Sequence, residues 1–161
     1  MQTVDNRIHQ MPRPRLNRTN RQTVPSIAWF VATLDVLLGL GALFGGAALA
    51  LGPDGHLLGM KTSLLAGSPF TDYLVPGVIL FLVMGVFPLV AAAMIALRSS
   101  LAPIAAIASG LALIGWIVVE MIVLAGWGSL AWSFYMLLGA TITATAFAWW
   151  RGLAGDRAER G

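Results

Sequence analysis

The sequence contains no cysteine. That excludes a disulfide framework, thiol redox chemistry and thiolate metal sites. Charge is nearly as scarce: 11% of the 161 residues are Asp, Glu, Lys or Arg, against about a quarter in an ordinary soluble domain. The two histidines, His9 and His56, lie in an N-terminal tail and in a loop, where neither can ligate a haem inside a bundle. His56 with Asp54 and Asp72 makes only a weak metal constellation, because zinc sites need three or four converging ligands. A solvated polar loop is the better reading. The His-Glu-x-x-His, Gly-x-Ser-x-Gly and Walker-loop patterns are all missing, and no repeat is visible. No enzyme activity, catalytic residue, metal or cofactor is expected.

Apolar length is what the chain has in abundance: 58% of it is hydrophobic. Four stretches, Ile27–Gly52, Tyr73–Leu97, Leu101–Ala125 and Leu130–Trp150, contain only two charged side chains, Asp35 and Glu120. A hydrocarbon core of about 30 Å is crossed by roughly 20 apolar residues in a helix, so each stretch qualifies as a span. The expected fold is all-α, a four-helix transmembrane bundle over residues 26–151. A basic tail at 1–25 precedes it, and a second tail at 152–161 follows.

The placement of charge orients the bundle. Arg7, Arg13, Arg15, Arg18 and Arg21 precede the first span, Arg98 lies between the second and third, and Arg151, Arg157 and Arg160 follow the fourth. Only Lys61 falls on the other side, in the loop 53–72. Lys- and Arg-rich short loops stay in the cytoplasm, so both termini are expected inside a bacterial cytoplasmic membrane. The tail 1–25, with three prolines and no helical period, reads as a disordered topology signal that also touches lipid headgroups. Nucleic acid is not an expected partner. Ala48-Leu49-Ala50 matches a cleavage pattern, but the apolar run exceeds the roughly 7–15 residues of a signal core. The first span is expected to be retained.

Local signals place the remaining features. Ser26 is the expected N-cap of the first span. Gly52-Pro-Asp-Gly55 reads as a tight turn. Gly67-Ser-Pro-Phe70 reads as a helix start with Ser68 as N-cap, which predicts a short interfacial helix leading into the second span. Pro88 frees the carbonyl of Met84 and should bend that span unless a neighbour supplies a donor. Trp149-Trp150-Arg151 reads as an aromatic belt with a cationic stop. Gly41 and Gly45 form a Gly-x-x-x-Gly pair, a surface against which another helix can pack closely. Asp35, Gly39, Ala42 and Gly46 share one helical face, which turns the acid into protein.

An intramembrane carboxyl costs about 2.5–3.5 kcal/mol on insertion scales and so faces the bundle. With a rise of 1.5 Å per residue, Asp35 lies about 12 Å from the inner face and Glu120 about 8 Å from the outer one. They are two separate sites. Ser109 and Thr143 fall at Asp35's level, with Thr141 and Thr145 a turn away. This suits a hydrogen-bonded packing node with a protonated carboxyl better than a proton or cation path. Tyr135 and Ser133 fall at Glu120's level. Water reaches that depth more readily, so Glu120 with Tyr135 is the better candidate for a binding role.

The segment Leu65-Ala-Gly-Ser-Pro-Phe-Thr-Asp-Tyr-Leu-Val-Pro-Gly77, with Trp-Ile-Val-Val-Glu120 in the third span, resembles a group of uncharacterised small bacterial four-span membrane proteins. The resemblance implies the four-span fold but brings no activity or ligand. Members of that group often carry an amide where this chain has Glu120, which argues against an obligatory acid there. The expected function is a non-enzymatic membrane component, an assembly or interaction subunit that packs on itself or on a membrane partner. The alternative is a small proton- or cation-linked transporter using Asp35 or Glu120.

Overall fold

A computed structural model describes residues 24–123 and 130–158, apart from the side chains of Asp156 and Arg157. The basic tail therefore lies almost wholly outside the described residues. So do the link 124–129, which includes the expected end of the third span at Ala125, and residues 159–161.

Four long helices account for most of the rest: α1 (Ser26–Leu51), α2 (Leu74–Ala96), α3 (Ala102–Val123) and α4 (Leu130–Ala158). All four are long and apolar enough to cross a bilayer. They form a ring in which α1 packs along α2, α2 against α3, α3 along α4, and α4 back against α1. The last of these is the loosest side. The helices begin and end within a residue or two of the apolar stretches, except that α4 runs on to Ala158. Beyond Trp150 nothing in Arg-Gly-Leu-Ala forces a stop, and a helix leaving lipid still keeps its own backbone bonded.

The interior is built from small side chains. Ala28, Val31, Ala91, Ala106, Ile142 and Ala146 have no exposed surface. Large apolar residues face outward instead, with Phe44, Ile122 and Leu137 each about two-thirds or more exposed (74%, 71% and 68%). A soluble monomer does not show so much contiguous apolar surface, and lipid is the solvent that suits it. The chain is a multi-pass membrane protein.

Glycine sets a close approach between α1 and α2. A methyl group built on Gly46 would lie 2.5 Å from the backbone nitrogen of Phe81, and one on Gly77 would lie 2.8 Å from that of Ala50. On Gly39 it would meet the carbonyl oxygen of Gly85 at 2.9 Å. The two backbones touch, as small-residue helix interfaces in membranes allow. Gly41 takes no part, since nothing lies within 4 Å of its added methyl, and Gly45 has only Leu80 at 3.7 Å. Inside the chain the packing role expected of Gly41 and Gly45 belongs to Gly39 and Gly46, because these share the buried face with Asp35 and Ala42.

Pro88 is buried in α2 without breaking it. The turns before it, Leu80–Val86, are a π-helix, and the Phe87 N–H donates to the carbonyl of Leu82 five residues back. Widening the turn redistributes the carbonyls that the proline cannot serve, a familiar way of accommodating a local mismatch in a helix. The loop after α2 closes as a Schellman motif. Arg98 N donates to Ile95 O (3.0 Å), Ser99 N donates to Met94 O (2.9 Å), and Arg98 takes the left-handed conformation at φ 57.

The outer loop differs from expectation in one respect. The turn at Gly52–Gly55 is present, with Gly55 N donating to Gly52 O at 2.8 Å and φ 81 at Gly55. The interfacial helix is not. Two single 3-10 turns, His56–Leu58 and Thr62–Leu65, stand in its place, separated by Gly59 at φ 66 and followed by Gly67 at φ 91. Ser68 spends its hydroxyl on the Phe70 N–H (3.2 Å), while Asp72 accepts from the Leu74 N–H (2.9 Å). The helix therefore starts at Leu74, with Tyr73 in the N-cap position and no side-chain cap, rather than at Ser68. At the other end of the chain, the N-cap of α1 is Pro25 rather than Ser26. Tyr73 ties the loop down: its N–H donates to Pro53 O (2.8 Å) and its hydroxyl to Lys61 O (2.9 Å). Its ring packs in a small cluster with Leu49 and Leu65.

Candidate functional site

Asp35 is completely buried where α1 crosses α3. Ser109 Oγ lies 2.6 Å from Asp35 Oδ1 and 2.9 Å from the carbonyl oxygen of Ala106. A hydroxyl has one proton to give. Both contacts are satisfied together when a protonated Asp35 donates to Ser109 Oγ and Ser109 donates to Ala106. The second carboxyl oxygen, Oδ2, has no partner among the described residues.

The hydroxyl cluster expected around this acid does not assemble. Thr143 Oγ1 donates to Gly139 O (2.8 Å) and Thr141 Oγ1 to Leu137 O (2.8 Å), and Thr145 also bonds back into its own helix. Threonine on a helix readily satisfies itself on the carbonyl four residues back, and here that local bond takes each proton. Thr143 instead abuts Gly110 at the α3–α4 crossing. Among the described residues Asp35 therefore has one hydroxyl bonded to it, that of Ser109.

Glu120 stands in a different setting. Trp116, one turn earlier on α3, donates its indole Nε1–H to Glu120 Oε1 at 2.7 Å. Trp132, near the start of α4, approaches the same carboxyl as a second side-chain hydrogen-bonding partner. An indole only donates, so Glu120 is the acceptor in the Trp116 bond. Glu120 and Tyr135 both line a partly open cavity of about 410 Å³ to which all four helices contribute. Trp116 and Phe134 add aromatic wall, and Leu34, Leu38 and Met84 are among its aliphatic lining. On the α1 side the wall is thin at Gly41 and Gly45. The cavity occupies the loose α1–α4 side of the ring, where the absent glycine side chains leave space that α4 does not fill.

The spacing of Trp116 and Glu120, four apart on one helix, carried a signal for their pairing, although the sequence reading did not use it. Trp132 had no such signal, because its approach depends on how α4 returns against α3. The expected aromatic belt is split: Trp149 turns inward, 9% exposed, whereas Trp150 is 42% exposed. Arg151 lies over the Phe147 ring at 6.0 Å. In the outer loop the His56 Nδ1 pairs with Asp54 Oδ1, and this bond holds the Asp54 carboxyl below its ordinary value. No group of three or more metal-ligating side chains occurs among the described residues. No family model, curated protein or solved structure matches this chain.

Proposed function

We propose that this chain is a small non-enzymatic component of a bacterial cytoplasmic membrane, with both termini in the cytoplasm, acting as an assembly or interaction subunit. It packs against a second copy of itself, or against another membrane protein, through the strip of α1 that bears Gly41 and Gly45. The observation behind this reading is the division of labour among the α1 glycines. Gly39 and Gly46 are consumed by α2, while Gly41 meets nothing and is exposed beside Leu37, Leu40 and Phe44. The unequal placement of arginines supports the orientation.

Because the chain lacks cysteine, the test is clean. In native membranes, oxidation of a Gly41→Cys variant yields a disulfide-linked dimer, whereas Gly115→Cys, an equally open glycine on α3, does not. Equal and low cross-linking at both positions contradicts self-association through this face. The second reading, a small cation-linked transporter, is favoured by one observation: Glu120, bonded to Trp116, also lines a cavity. Unchanged cation flux in a Glu120→Gln variant contradicts it.

A further inference from the structure

The Glu120 cavity joins three features. Its volume of about 410 Å³ falls in the range of sites for small organic molecules. Its wall is aliphatic and aromatic, and one carboxyl is held in place by an indole donor. We propose that this cavity binds an apolar organic cation, an alkyl- or arylammonium or phosphonium ion of drug size, with Glu120 as its counter-ion and Trp116 and Tyr135 as ring contacts.

The chemistry of the wall selects this class over others. A neutral hydrocarbon would leave the carboxyl facing an apolar ligand with no compensation. An inorganic cation wants about six oxygen ligands, and among the described residues of the wall Glu120 is the only carboxyl. An anion is repelled by Glu120. An organic cation meets both requirements at once: its charge pairs with the carboxylate, its apolar body fills the aliphatic space, and aromatic faces attract it further. The indole bond from Trp116 positions the carboxyl before a ligand arrives, so less ordering is needed on binding. Gly41 lies at the rim of the cavity on the α1 side and, with nothing within 4 Å of an added methyl, leaves that wall open, so that a large ring placed there would obstruct the entrance.

The proposal deepens the second reading above, and rests on it only in taking Glu120 as the charge of the site. Binding is therefore measured apart from flux. Full-length protein in non-ionic detergent is titrated with tetraphenylphosphonium, and with neutral triphenylphosphine oxide as the uncharged comparison. Wild type is expected to bind the cation at one per chain and the oxide at least tenfold more weakly. Glu120→Gln should weaken cation binding at least tenfold and leave the oxide unchanged. Gly41→Phe should abolish binding of both, while Gly115→Phe, on an open surface, binds as wild type does. Circular dichroism establishes that each variant is folded, and Gly41→Phe carries the test if Glu120→Gln does not fold. Equal cation affinity in wild type and Glu120→Gln, or in wild type and Gly41→Phe, overturns the proposal, as does absence of cation binding to wild type. Binding without flux leaves the site standing and contradicts transport alone.

Discussion

Placing a single methyl group on α1 gives the most discriminating test of how this bundle is held together. In Gly46→Ala the added carbon would sit 2.5 Å from Phe81 N and 2.8 Å from Gly77 O and Phe81 Cα. The nearest of these falls about 0.9 Å short of the 3.4 Å at which ordinary contact begins. All three neighbours are backbone atoms, so no rotamer change can relieve the clash and the helices must part. Overpacking typically costs about 1–3 kcal/mol, and a rigid backbone neighbour places this case at about 2–3 kcal/mol. Gly41→Ala introduces the same methyl into open space and should stay within about 0.5 kcal/mol of wild type. Both are measured by titrating dodecyl sulfate into mixed micelles and following helix loss by circular dichroism. If Gly46→Ala is no less stable than Gly41→Ala, the close α1–α2 crossing is wrong, and with it the register that buries Asp35.

Further outcomes follow from single contacts. Ser109→Ala removes the one described partner of a fully buried carboxyl and should destabilise by about 1–3 kcal/mol, whereas Thr143→Val, which loses only a bond within its own helix, should change stability by less than about 1 kcal/mol. The same detergent titration checks both. Tyr73→Phe loses the bond to Lys61 O, worth about 1 kcal/mol, and should show as faster proteolysis of the outer loop. Arg98→Gly relieves a left-handed residue in a Schellman turn and should stabilise by about 1 kcal/mol, read in the same titration. The Asp54 carboxyl is held below its ordinary 3.8 by the bonds from His56. The stabilisation it contributes is fully present above 3.8 and is lost as pH falls through the lower folded value. Loop proteolysis should therefore show no change attributable to Asp54 between about pH 5 and 7, and His56→Ala should abolish any rise seen in stronger acid.

The spans were legible because membrane insertion reads the same quantity that the sequence displays, apolar length per helix. The burial of Asp35 with Gly39, Ala42 and Gly46 followed from helical spacing alone. What escaped the sequence depended on competition between local and tertiary bonds. Thr143 lies at the right depth for Asp35, yet its hydroxyl has a carbonyl available within its own helix. Ser68 has the chemistry of a cap, but its hydroxyl closes a local turn onto the Phe70 N–H, and the helix starts only at Leu74. Pro88 announced a disturbance in α2, while its form, a π-turn over Leu80–Val86, is tied to the glycine contacts with α1. The cavity beside Glu120 was invisible for a similar reason. It exists because α1 and α4 pack loosely, a property of two distant segments that neither encodes alone.

Single-cysteine labelling, in a chain that has no cysteine of its own, most directly tests the proposed arrangement of four helices across the membrane with both ends of the bundle on the cytoplasmic side. In intact cells a membrane-impermeant maleimide should label Ser63→Cys, in the exposed outer loop, and should reach Ala158→Cys, at the exposed end of α4, only after permeabilisation. Labelling of Ala158→Cys in intact cells, or protection of Ser63→Cys, contradicts the account.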